Sequence, residues 1–324
     1  MSIVVANQPP PAFAWFILVA SVLAVSSAGA LLQLIVDVEP LLKASWRLQA
    51  TSLVLLLPFL FQMRRMKNEE PESFSQLFDL RVLGIIAGSA FCLFVHFGSW
   101  IWSLDHTSLT HSLLFVTAHP LVIVCGLYLM GRSISKKETS GAIIGFIGAM
   151  ITLIGARNEG DVTLIGDFAA FVGAVAIIGY LAAGRVLRNW MPLFIYAFPV
   201  TFIAAILLGI SSLVIEGSSL ANIPASISLF GWLDVTWLWI VLLLAFGPGL
   251  VGHTGINGVL RWMPPLVISV SVLFEPLIGS LIGWALGTTL VPGFYTWLGG
   301  IFLIAGVILV TLGRYESKMA VADG

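Results

Sequence analysis

Charged residues are scarce in this chain, at 10% of 324 residues, whereas an average soluble domain has roughly 25%. Hydrophobic residues make up 59%, and the mean hydropathy is +1.03. A soluble fold has too little interior to bury that much apolar surface. The apolar residues come in blocks of about 20, the length of helix that crosses a ~30 Å hydrocarbon core. The ~10-residue alternating segments of a membrane β-barrel do not occur.

Cysteine is almost absent as well, because Cys92 and Cys125 are the only two. Both lie inside apolar blocks, so neither a disulfide framework nor a metal site is predicted. We find no His-Glu-x-x-His, Gly-x-Ser-x-Gly or phosphate-loop motif, and therefore expect no enzyme and no cofactor. There is no basic domain for nucleic acid. The first block, 13–36, has no basic region before it and is longer than a signal-peptide core, which predicts a retained span.

The apolar blocks predict an all-α integral membrane protein with ten transmembrane helices, because backbone polar groups in lipid must be satisfied within the segment. The blocks are 13–36, 41–63, 82–104, 109–130, 140–156, 162–184, 191–215, 235–260, 264–286 and 294–313.

Lysine and arginine predict the orientation, since they concentrate in cytoplasmic segments. With the N-terminus in the cytoplasm, the outer side holds three of the 15 basic residues: Lys43, Arg47 and Arg157. The remaining twelve fall on the cytoplasmic side: Arg64, Arg65, Lys67, Arg81, Arg132, Lys136, Lys137, Arg185, Arg188, Arg261, Arg314 and Lys318. Both termini are therefore predicted to be cytoplasmic.

Several residues recur at a nearly constant offset, which indicates duplication. Glycines 141, 148 and 155 match glycines 299, 306 and 313 at an offset of 158; Pro120 and Gly131 match Pro276 and Gly287 at 156; and His96 matches His253 at 157. These matches predict two repeats, 13–156 and 162–313. Five spans per repeat is an odd number, so the second repeat is inverted, as in many transporters. The glycine rows predict close helix packing of spans 5 and 10.

The residues that carry these matches also resemble a known family. The segment 120–131 with Gly141-Ala-Ile-Ile-Gly-Phe-Ile-Gly148, the segment 275–284 with Gly299-Gly-Ile-Phe-Leu-Ile-Ala-Gly306, and Gly166-Asp167 at the start of span 6 resemble the EamA domain of the drug/metabolite transporter superfamily. Many members have Gly-Glu where this chain has Gly131-Arg132 and Gly287-Thr288. The resemblance implies ten spans, a central cavity formed largely by spans 1, 3, 4, 6, 8 and 9, and alternating access. Members carry amino acids, drugs and other small metabolites, often outward.

Glu275 and His119 are the first candidates for a substrate-binding site, since ionisable residues inside spans are functional by default. Each lies near the middle of its span, directly before a proline. Pro120 and Pro276 free the carbonyls of residues 116 and 272, which is tolerated in a membrane only beside protein or a wet cavity. We expect the two side chains to form a polar pair at mid-membrane. A purely structural Glu-Pro packing motif is the alternative.

Further candidates follow from polar stripes on spans 3 and 8. His96, with Ser103 on the same stripe, and His253, with Asn257, are expected to line two half-pathways on opposite sides of the midplane. Trp100 is a candidate aromatic wall, with packing as the alternative; for Arg47, snorkelling to the outer surface beside Lys43 is preferred to a role with substrate.

The function predicted is secondary transport of small organic solutes, as an exporter of amino acids or related metabolites. A sugar-phosphate or nucleotide-sugar exchanger of the same fold is an alternative, disfavoured because spans 8 and 9 hold no internal cation for a phosphate. A passive channel and an intramembrane enzyme are alternatives from other classes. The expected partners are a small-molecule substrate and the lipid bilayer, with protons as a candidate coupling ion and a homodimer as a candidate assembly. The expected location is the plasma or inner membrane.

Overall fold

The computed structural model describes residues 10–107, 109–131, 134–154, 163–220, 224–288 and 294–322. The predicted Gly155, Arg132 and Arg157 lie outside them. Helical segments occur at each predicted block: α1 Ala12–Gln33, α2 Pro40–Glu69, α3 Leu80–Leu104, α4 in two parts (Leu109–Val116 and His119–Leu129), α5 Lys136–Ile154, α6 Leu164–Leu187, α7 Leu193–Glu216, α8 Val235–Val259, α9 Pro265–Ala285 and α10 Phe294–Ala322. A short helix, Pro71–Gln76, lies between α2 and α3.

The outer surface of this bundle is apolar, as expected for a protein in lipid. Large side chains such as Phe16, Leu57, Trp239 and Ile301 are more than half exposed, which would be unfavourable in water. Eight helices in the described part are long and apolar enough to cross a membrane. Helix α5 is not among these eight, and the apolar part of α10, Trp297–Val310, is shorter. The prediction of an all-helical membrane protein is thus confirmed.

Helices α4 and α9 are both interrupted at mid-length. The first half of α4 ends at Val116 and the second begins at His119; the first half of α9 ends at Val272 and the second begins at Glu275. In each case the following proline lacks the N–H that would continue the helix. Each second half is followed, two residues after its last helical residue, by a glycine with a left-handed backbone: Gly131 (φ 66°) after α4 and Gly287 (φ 74°) after α9. The predicted proline breaks are therefore confirmed.

Helices α5 and α10 pack backbone to backbone through their glycines. A Cβ atom on Gly141 would lie 2.8 Å from the Gly306 carbonyl oxygen, and one on Gly148 would lie 2.7 Å from the Gly299 carbonyl oxygen. Only glycine permits that approach. The prediction that the glycine rows serve packing is confirmed for these residues.

The segment after α7 folds back onto the start of α2. Glu216 accepts hydrogen bonds from the backbone N–H groups of Leu41 and Leu42 (2.6 and 3.0 Å) and so caps α2. Deeper along α2, the Trp46 indole donates to the Ser228 carbonyl oxygen (3.0 Å), and Gln49 contacts the same segment. This end of α2 is therefore held rigidly, which positions the residue next to Trp46 on the interior side of the helix.

Candidate functional site

A central cavity lies where the two helix breaks meet. Its lining comes from α1, α2, α3, α4, α6, α8 and α9, the helices expected from the family resemblance with α2 added. The volume open to the centre of a water molecule is about 50 Å³, which is room for about three to five waters. Its polar lining consists of Arg47, His96, Trp100, Thr117, His119, Tyr180, His253, Ser269 and Glu275.

The predicted position of Arg47 is wrong. Its side chain does not snorkel to the outer surface; it is 1% exposed and faces the cavity. The guanidinium carbon lies 4.5 Å from the ring centroid of Phe97 and 5.6 Å from that of Trp100, within cation–π range. Helix α2 begins at Pro40, so Arg47 is about 10 Å inside it at 1.5 Å per residue, too deep to reach the end. Lys43 does reach that end, where it pairs with Asp105 (3.0 Å).

The Arg47 guanidinium has no acceptor among the described residues. All three of its nitrogens are buried without a hydrogen-bond partner. Glu275 is near enough for an electrostatic interaction, but no ion pair within 4.0 Å joins the two in the described part of the chain. A buried donor group with nothing to bind is strongly unfavourable.

Glu275 and His119 both line the cavity, 7% and 4% exposed. The described residues show no direct hydrogen bond between them, and their role as a polar pair for substrate stays a prediction. His119 Nδ1 is buried and has no hydrogen-bond partner within the described segments. The charged group that acts on Glu275 is Arg47. The cavity thus holds one carboxyl group and one guanidinium group, with His119 beside them.

His96 and His253 lie together, although they were expected on opposite sides of the midplane to line separate half-pathways. Their ring centroids are 6.0 Å apart. His96 Nδ1 donates to the Gly173 carbonyl oxygen (3.0 Å), and its ring stacks with Trp100 at 6.1 Å. The two rings therefore face one cavity and do not line separate half-pathways. Trp100 lines the cavity, and its indole N–H has no partner in the described part of the chain.

Asn257 and Ser103 do not line the cavity. The Asn257 amide donates to the Tyr180 hydroxyl, behind the cavity wall, and the Arg188 side chain donates to the Asn257 carbonyl oxygen (3.2 Å). The Ser103 hydroxyl donates to the Trp100 carbonyl oxygen (2.6 Å) and lies 2.5 Å from that of Ser112. Asn257 therefore supports a lining residue, and Ser103 joins α3 to α4.

The structure thus brings five of the seven predicted side chains to one cavity: Glu275, His119, His96, His253 and Trp100. Sequence reasoning missed Arg47 and Tyr180. An arginine seven residues inside an apolar block is itself a signal, but the lysine four residues before it favoured the interpretation as a surface pair. Tyr180 gave no comparable signal, because tyrosine is common in membrane helices.

The fold and the cavity define the chain as a helical membrane protein with a polar chamber enclosed by its helices. Comparison then gives a family match: residues 12–154 match the EamA-like transporter family, a domain of the drug/metabolite transporter superfamily. A search of curated proteins gives no match. Among 27 similar chains of solved structures, one titled "Crystal structure of protein" has a TM-score of 0.70 and 18% identity over 93% of this chain and 96% of its own. That likeness concerns the fold alone.

Proposed function

We propose that this protein is a secondary transporter of small organic solutes, which moves them through the central cavity by alternating access. The match of residues 12–154 to the EamA-like transporter family supports a transporter of the drug/metabolite class. The observation that carries the proposal is a cavity at the helix breaks that contains a carboxyl group and a guanidinium group without ion-pair partners among the described residues. Such groups in the membrane interior indicate a substrate site.

We further propose ten spans arranged as two inverted repeats, 13–156 and 162–313. Helix contacts support this arrangement, because exchanging the repeats maps them onto one another. Helix α3 packs on α6 as α8 packs on α1, and α4 packs on α6 as α9 packs on α1. The α2–α7 and α5–α10 contacts map onto themselves. The breaks at 117–118 and 273–274 are separated by the same 156 residues as the prolines that cause them.

Amino acids and related metabolites are the substrates we propose, with export as the direction. A zwitterion has a cationic group for Glu275 and an anionic group for Arg47, so the two buried charges favour it. The sequence-based objection to phosphate substrates, which was the lack of an internal cation, no longer holds once Arg47 lies in the cavity. A phosphate ester, however, carries about −1.5 to −2 charges and would face the Glu275 carboxylate with a single guanidinium in support.

We place both termini in the cytoplasm of a plasma or inner membrane, on the twelve-to-three division of basic residues. A cysteine introduced at Lys136 should react with a membrane-impermeant thiol reagent only after the cytoplasmic side is exposed. Reaction from outside would overturn this orientation. A homodimer remains a proposal that crosslinking in membranes would test.

Coupling to protons is the final part of the proposal. A carboxylate enclosed among apolar helices is stabilised either by a proton or by a cationic substrate, so Glu275 can exchange one for the other. The other titratable or charged groups that face the cavity are Arg47, His96, His119, His253 and Tyr180.

The test of this function is flux of labelled amino acids into proteoliposomes, with and without an imposed pH gradient. Wild type should accumulate substrate under the gradient, which a channel would not do. Glu275→Gln keeps the size of the side chain and cannot ionise, so exchange down a substrate gradient should survive while the pH response disappears. Glu72→Gln, an exposed carboxyl on the short helix Pro71–Gln76, is the control. A pH response that is unchanged in Glu275→Gln would refute the coupling role.

A further inference from the structure

We infer that Arg47 binds the carboxylate of the transported solute, so that substrates of this protein carry a carboxylate group. The inference rests on the proposed function for the cavity, and names the chemical class that the cavity selects. Arg47 lies at a position not expected from the sequence, and its guanidinium nitrogens have no hydrogen-bond partners among the described residues.

Among the described residues, the cavity-lining polar atoms without a partner include His119 Nδ1 and Ser269 Oγ, but most belong to the neighbouring residues Arg47 and Trp100. Three Arg47 nitrogens and the Trp100 indole nitrogen are buried donors without acceptors among the described residues, and the guanidinium lies 5.6 Å from the Trp100 ring. A cluster of buried donors without acceptors is complementary to a ligand that only accepts hydrogen bonds. A carboxylate accepts through two oxygens and matches the planar fork of a guanidinium in a bidentate pair.

Residues around Arg47 hold the guanidinium in place while leaving it unbonded. The face of the group lies 4.5 Å from the Phe97 ring centroid, so an aromatic surface takes the place of an acceptor. On the neighbouring position, Trp46 is fixed by its bond to the Ser228 carbonyl oxygen. Helix α2 therefore presents Arg47 in one orientation, and little rotamer freedom is lost when an anion binds.

A structural ion pair with Glu275 is the competing explanation. The two groups interact electrostatically, but the described residues contain no contact between them within 4.0 Å, the distance that defines an ion pair. The space between such groups is where a zwitterion would fit, with its carboxylate on Arg47 and its ammonium group toward Glu275. The small volume of the cavity, about 50 Å³ for the centre of a water molecule, favours solutes with few atoms beyond these two groups.

Small solutes that differ in their charged groups can show which group of the substrate the cavity binds. Alanine carries both charges, propionate only the carboxylate, alaninamide only the ammonium group, and inorganic phosphate tests the other oxyanion. Binding is read as the concentration that half-maximally raises the unfolding temperature of the purified full-length protein in detergent, which does not depend on transport. We expect alanine and propionate to stabilise wild type, and alaninamide to bind about tenfold or more weakly, as the loss of a charge-assisted hydrogen bond predicts.

Variants of Arg47 then test the residue itself. Arg47→Gln should abolish the preference for alanine over alaninamide, whereas Arg47→Lys, which keeps the charge without the fork, should retain part of it. Arg64→Gln, at an exposed position near the other end of the same helix, should bind as wild type does. If Arg47→Gln does not fold, the solute series on wild type and on Arg47→Lys still decides the matter.

The inference is overturned if acid and amide bind wild type equally, if Arg47→Gln keeps the preference, or if no acid in the series stabilises wild type at 50 mM. Stronger binding of phosphate than of propionate would also overturn it, in favour of the phosphate-ester alternative. Its failure is distinguishable from failure of the transport function. Carboxylate binding without flux refutes the transport function but not the role of Arg47 in binding a carboxylate. Flux of solutes without a carboxylate, driven by a pH gradient, refutes that role of Arg47 but not the transport function.

Discussion

The packing of α5 against α10 allows a quantitative prediction for Gly306→Ala. A Cβ atom built on Gly306 would lie 2.6 Å from both the backbone nitrogen and the Cα atom of Gly145, and 2.7 Å from the Gly141 carbonyl oxygen. All three contacts are to backbone atoms, which cannot move aside as the end of a side chain can. The two helices must separate by about 1 Å to restore ordinary van der Waals distances of about 3.5–4 Å.

That separation weakens the contacts along the whole interface. Overpacking of this kind destabilises by about 1–3 kcal/mol, and we expect Gly306→Ala to fall in this range. The intrinsic helix preference of alanine over glycine, about 1 kcal/mol, acts in the opposite direction. The control is Gly88→Ala on α3, because a Cβ atom there would have no neighbour within 4 Å and only the helix preference remains.

The assay is thermal unfolding of both variants in detergent, followed by the fraction that remains monodisperse after heating. Gly306→Ala should unfold several degrees below wild type, and Gly88→Ala at or above it. If the two variants unfold at the same temperature, α5 and α10 do not approach as closely as described, and the claim that their glycines are needed for packing is refuted.

Two further predictions concern the end of α2 that carries Arg47. Replacing Lys43 by Ala should leave the Asp105 carboxylate without its partner at 3.0 Å. A double-mutant cycle of Lys43→Ala with Asp105→Ala should give a coupling free energy of about 0.5–1 kcal/mol. A coupling free energy of zero would show that the pair is not formed. Gln49→Leu should leave the Trp232 indole nitrogen and the Leu229 carbonyl oxygen without the hydrogen bonds that Gln49 makes to them at 2.9 and 3.0 Å, and should lower the free energy of unfolding by about 1–3 kcal/mol. Limited proteolysis should then cut the segment 217–234 faster. An unchanged cleavage rate would contradict the attachment of this segment to α2.

The fold was predictable where backbone physics leaves one solution. Apolar blocks of about 20 residues must be helices in lipid, and helices occur at every predicted block. The breaks before His119 and Glu275 were predictable for the same reason, because a proline removes a specific hydrogen bond wherever the helix lies. The number of spans does not follow from the same physics, because α5 is not among the eight helices long and apolar enough to cross a membrane in the described part of the chain, and the apolar part of α10 is shorter than those helices.

The site was predictable only in part, because side-chain direction depends on tertiary packing. Arg47 and Lys43 are four residues apart and share a helix face, yet one faces the cavity and the other pairs with Asp105 at the end. The bonds that fix the orientation of α2 come from residues more than 170 positions away, Glu216 and Ser228. No local pattern contains that information. Ser103 was predicted to line the cavity because it lies on the polar stripe of α3, but its hydroxyl instead bonds that of Ser112 and joins α3 to α4.

The place of the cavity and its chemistry have different origins in the sequence. Pro120 and Pro276 free the carbonyl groups of Val116 and Val272, and both valines line the cavity. Carbonyl groups without their helical donors at this depth need either protein or a wet cavity beside them, so the two prolines favour a polar chamber at this place. Which solute it accepts then depends on a few side chains such as Arg47 and Glu275, placed by contacts between distant segments. This division explains why the helix breaks could be predicted from the sequence, while the substrate class can be argued only from the assembled structure.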